Sequence, residues 1–214
     1  MKTVLRGIAA LLLTATATHA QEPTCKNCPG TYIANEEMQA YVARAIREKL
    51  VDQQVRAVDI GRSNLDVGVV YRGQLAAPGD VAEHDFVSEL YHIIEGKATL
   101  KVGPKMTGVE RRPSTLNTVR LLNGPGNSAK SIEDGQTFEL KAGDVVIIPA
   151  GTGHQFVKID DHVTYLMVRI DPDKVTPHKS EADSKEDLKS DGRTRAGGGA
   201  GAVDGGPAQG ARPR

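Results

Sequence analysis

The sequence predicts an all-β antiparallel sandwich or barrel carrying one helix at its front. Two observations point there. Apolar residues recur at a helical spacing only between Asn35 and Gln54, and from Val55 onward the period drops to two. Short strand-like runs then follow one another, joined by Gly, Pro, Asn and Ser, with no second helical pattern and no internal repeat.

The elements are justified in chain order. Met1–Ala20 has Lys2 and Arg6 at the front, an apolar run Ile8–Leu13, and small residues up to Thr18-His19-Ala20. That is the pattern of a secretory signal, and its apolar part is too short to span a bilayer. The mature chain is therefore expected in the periplasm or outside the cell. Segment 21–34 holds the two cysteines, Cys25 and Cys28. In an oxidising compartment they are expected to form a local disulfide. A redox motif would need a βαβ context, and a structural zinc site normally needs four ligands.

Residues 35–54 are predicted as the helix. Asn35 can cap its start, and Glu36 and Glu37 suit the positive end of its dipole. Met38, Tyr41, Val42, Ala45, Ile46 and Leu50 make one apolar stripe. The barrel is assigned to 55–175. Its strands are read as Arg56–Ile60, Leu65–Arg72, Glu89–Glu95, Lys97–Val102, Thr137–Leu140, Asp144–Ile148 and His162–Ile170. Pro78-Gly79-Asp80 and Gly96 read as turns, and Gly103–Gly135 as an excursion with a short strand near Thr118–Leu122. From 176 to 214 the chain is rich in charge, Gly and Pro and is read as a disordered tail.

Composition narrows the function classes. The chain has 27 basic and 27 acidic residues; without Lys2 and Arg6 the mature count is 25 against 27. No basic stripe with interleaved aromatics suggests nucleic acid. Three Phe, five Tyr and no Trp leave little surface for stacking sugars or bases. No nucleophile elbow, phosphate loop or dinucleotide fingerprint is present.

The most informative stretch is Gly143-Asp-Val-Val-Ile-Ile-Pro149-Ala-Gly151-Thr-Gly-His154. Its spacing, G-x5-P-x-G-x2-H, resembles the second signature of the cupin superfamily up to the histidine; the usual terminal Asn is replaced by Lys158. Glu89 and Gly96 match the E-x6-G half of the first signature, whose other half is H-x-H. There the chain departs from the pattern. Either His84 is the second histidine and Ala82 occupies the first position, or His84 is the first and Phe86 stands where the second belongs.

The resemblance implies a single jelly-roll β-barrel and a divalent metal (Fe, Mn, Zn or Ni) held by His84, Glu89 and His154. It implies a metal-dependent enzyme of dioxygenase, decarboxylase, isomerase or lyase type on a small molecule. The missing histidine keeps a second reading open, a non-catalytic binding module with a degenerate metal site. A homodimer is the expected assembly. On a regular strand Glu89, Tyr91 and Ile93 share one face, and His92 lies on the other with Leu90 and Ile94, so His92 could replace the missing ligand only across a bulge. Tyr91, Phe156, Tyr165 and Met167 are expected to line the pocket or fill the barrel.

Overall fold

The computed structural model describes residues 22–190, so the expected leader 1–20 and the last residues of the expected tail lie outside it. Helix α1 (Asn35–Glu48) is followed by β1 (Asp52–Asp59), β2 (Asn64–Arg72), β3 (Val81–His84) and the long β4 (Ser88–Gly103). Next come β5 (Lys105–Thr107), β6 (Glu110–Arg111), a π-helical turn at Thr118–Asn123, β7 (Gly126–Ala129) and β8 (Ser131–Glu133). Strands β9 (Gln136–Lys141), β10 (Val145–Ile148), β11 (Gly153–Lys158) and β12 (Val163–Asp171) complete the barrel, and α2 (Glu181–Lys189) closes the described chain.

All strand pairs are antiparallel, and β4 belongs to both halves of the sandwich. Its first half pairs with β12 on one side and β10 on the other. Its second half lies between β9 and β11. Beyond β12 the first sheet continues through β2 to β1; beyond β11 the second continues through β3 and β7 to β6. This is the jelly roll that the sequence predicts.

Gly96 is where β4 crosses between the sheets. It is not the expected turn but a bend within one continuous strand, at φ +81°. A Cβ there would stand 2.0 Å from the His162 carbonyl oxygen, so no side chain is tolerated without moving β12. The pairing with β12 slips by one residue beside it, and the inward parity changes from Glu89, Tyr91 and Ile93 to Ala98 and Leu100.

Inward side chains from both halves form the core, including Tyr91, Ile93, Leu100, Ile148, Phe156 and Tyr165. Helix α1 packs outside, placing Tyr41 against Val55 and Val69. The helix is shorter than predicted. It ends at Glu48 with Lys49 in the left-handed region, because residues 52–54 pair with β2. Ala34, not Asn35, holds the cap position, and Ile46 is exposed while Arg44 is buried.

Two further expectations are corrected. Thr118–Leu122 is helical rather than a strand; Arg120 N–H donates to the Leu116 carbonyl, a local bond that replaces a sheet partner. The segment 176–190 is folded. Backbone N–H groups of Ala57 and Lys179 donate to each other's carbonyls, and Ser180 caps α2 in a reciprocal box with Asp183. Its buried anchor is polar: while Leu188 alone of α2 packs on the Tyr41 cluster, the Ser184 hydroxyl, fully buried, donates to the Val55 carbonyl. Hydrophobic periodicity cannot reveal such a contact. Cys25 and Cys28 form the expected disulfide.

Candidate metal centre

Three strands bring the predicted ligands together. β3 ends on His84, the first half of β4 carries Glu89, and β11 carries His154 directly opposite Ala82. All three are buried, with at most 6 % of each side chain's residue exposed. One ligand atom from each lies within 4.8 Å of the others. His84 Nε2 is 3.4 Å from Glu89 Oε1, and His154 Nε2 is 3.5 Å from Glu89 Oε2.

The surrounding contacts fix these groups. His154 Nδ1 lies 3.3 Å from the Thr152 carbonyl oxygen, which can only accept. The ring's proton therefore sits on Nδ1, and the Nε2 lone pair faces the site. Burial pushes the His154 imidazole down to about 4, more than Glu89 lifts it, so the ring is neutral at pH 7. Glu89 accepts from the Tyr91 hydroxyl at 2.6 Å and from Arg169 Nε at 3.0 Å. Burial pushes the Glu89 carboxyl up, but His84, Arg169 and His154 outweigh it and hold it well below the usual carboxylate range. Burial and the Glu89 charge raise the Tyr91 phenol well above its ordinary value, so it stays a donor.

His92 lies outside this group. It is exposed on the opposite face of β4, because the bulge falls after it, beside Gly96. Ala82 shares a small cleft with His154, whereas Phe86 is exposed. Of the two positions, Ala82 is thus the one beside His154.

That cleft has room for about 20 Å³, on the scale of one water, and Arg72, Asp80 and Phe156 also border it. Of the four expected pocket residues, Phe156 is at the cleft. Tyr91, Tyr165 and Met167 are packed in the barrel core.

Sequence reasoning missed two arginines. Arg169 is buried and also reaches Gln54 and Asp52. A signal for it existed: Val163, Tyr165, Met167, Arg169 and Asp171 share one parity on β12, so two charges follow three apolar residues on the inward face. Arg112, whose terminal nitrogen is 2.8 Å from His84 Nδ1, sits in an irregular loop with no periodic signal.

Among family models, that of the AraC-like ligand binding domain matches residues 129–188, which include β9 to β12 and His154. This is a cupin fold. Solved structures similar to this chain include BH2720 from Bacillus halodurans, at 18 % identity and a TM-score of 0.39, covering 74 % of this chain and 96 % of that one. The cupin protein BF4112 from Bacteroides fragilis is 16 % identical at a TM-score of 0.35, covering 72 % of this chain and 93 % of that one. The DMSP lyase DddQ from Ruegeria pomeroyi is 18 % identical at a TM-score of 0.37, covering 60 % of this chain and 50 % of that one. No curated protein matches the chain.

Proposed function

We propose that this chain is an exported cupin that holds one divalent metal through His84, Glu89 and His154 and works as a metal-dependent enzyme on a small molecule. The observation that carries the reading is the convergence of two imidazoles and one carboxylate within 4.8 Å inside the barrel. The donor set fits such an ion: two nitrogens and one oxygen suit Fe(II) or Mn(II), and imidazole also suits Zn and Ni. When bound, the metal would supply Lewis acidity toward a carbonyl or hydroxyl oxygen.

The chain's own residues prepare that site. Arg169 and Tyr91 orient the carboxylate of Glu89 and keep it charged, while Thr152 points the free nitrogen of His154 inward. Burial of all three ligands limits the access of water. The matched family's description, a ligand-binding domain, supports a small-molecule partner. The leader-like start and the disulfide support export.

Equilibrium dialysis against Mn²⁺, Fe²⁺, Ni²⁺ and Zn²⁺ tests the proposal. About one ion per chain is expected for the wild type with at least one metal, and none for His154→Ala. Metal-free wild type would contradict it.

One observation favours the second reading, a binding module without turnover. Ala82 stands opposite His154 where a fourth ligand belongs. On that reading the metal-free protein melts higher with its ligand.

A further inference from the structure

His84 and His154 are held in opposite ways. Thr152 offers His154 a carbonyl, whereas His84 Nδ1 faces the terminal nitrogen of Arg112 at 2.8 Å. A guanidinium has only donors. His84 Nδ1 must therefore be the acceptor, and the ring's proton lies on Nε2, the atom nearest Glu89 Oε1. A nitrogen that carries a proton has no lone pair for a metal.

Arg112 is built into this position. Its backbone N–H donates to the Gly126 carbonyl, and its side chain donates to the Glu83 carbonyl at 2.5 Å and to Asn123 Oδ1 at 3.4 Å. Gly126 leaves room for it. A Cβ there would stand 2.3 Å from the Arg112 terminal nitrogen.

We propose that Arg112 sets the metal affinity of the site by holding His84 in the tautomer that carries its proton on Nε2. This rests on the metal-binding reading above. For Nε2 to ligate, the proton must pass to Nδ1 by exchange with water, and Arg112 must give up its bond to that nitrogen. The ring keeps one proton throughout. Each binding event therefore breaks a charge-assisted hydrogen bond, and the site is weaker than its donor set alone would make it.

The test has two arms. Long-range ¹H–¹⁵N correlation of metal-free wild type should find the His84 proton on Nε2 and the His154 proton on Nδ1. A His84 proton on Nδ1 overturns the proposal, and this arm needs no variant. In the second arm, Mn²⁺, Fe²⁺, Ni²⁺ and Zn²⁺ are each titrated calorimetrically into wild type and Arg112→Met, with melting curves to confirm folding. Arg112→Met should bind about tenfold more tightly. Equal affinity in two folded proteins overturns the proposal while the metal site stands. No binding of any of the four metals by either protein overturns the metal reading and the proposal with it.

Discussion

Asp66 shows how single residues of this barrel are tuned. The Thr176 hydroxyl lies 3.0 Å from Asp66 Oδ2 and 2.7 Å from Asp171 Oδ2. One hydroxyl has one proton to give. The three groups are satisfied together when Asp66 is itself protonated and donates to Thr176, which then donates to Asp171. Burial, with the Asp171 charge adding to it, pushes the Asp66 carboxyl up to about 6 from an ordinary value of 3.8. Between those values the folded state binds more protons than the unfolded chain, so this contribution to stability falls as pH rises through that window. Asp66→Asn mimics the protonated form. Urea unfolding should give the two proteins similar stability near pH 4, with the variant ahead at pH 8 by about 3 kcal/mol. At this scale the sequence was legible where spacing carried chemistry, as for His84, Glu89 and His154. It was silent on partners recruited from elsewhere. Arg112 reaches His84 from an irregular loop, and no local pattern links the two.

At the scale of elements, the barrel strands were legible because an alternating face must point inward, and the main errors fall where packing is polar. Helix α2 shows no apolar stripe, yet it seals a buried charged layer over α1 and β1. Asp187 receives Lys179 at 2.6 Å, lies 3.4 Å from Arg44, and accepts from the Tyr41 hydroxyl. Arg56 donates to Ser184 at 2.8 Å and to Glu37 at 2.9 Å. A chain ending at Ser180 would lose Ser184 and Asp187 and leave Arg44 and Arg56 buried with fewer partners. Removing partners of buried charges costs about 3–5 kcal/mol. The truncated protein should melt roughly 10 °C below the full chain by calorimetry. An unchanged midpoint would show that α2 is not part of the cooperative unit. Gly96 is the other lesson of this scale. A glycine before an alternating run reads as a turn, and only the close approach of His162 reveals a bend within one strand.

For the whole molecule, β4 ties the architecture to the site. Its first half carries Glu89 between β10 and β12, and its second half supports β11, which carries His154. One edge of the first sheet is β10, which among the described residues pairs only with β4 and exposes Val145 and Ile147 at 55 % and 67 %. An unpaired edge strand with outward apolar residues is a surface that proteins commonly cover. The homodimer expected from the sequence would use this edge, and light scattering should then give twice the chain mass for the wild type and a single chain mass for Ile147→Lys. A monomeric wild type would remove that assembly.

The central claim is that His84, Glu89 and His154 hold one ion. Anomalous diffraction from crystals grown with Mn²⁺ or Ni²⁺ tests it most directly. The account predicts a single peak between the three side chains, about 2.0–2.3 Å from His84 Nε2, His154 Nε2 and a Glu89 oxygen. Crystals with no peak at that position, and with Glu89 still bound only to Arg169 and Tyr91, would contradict it.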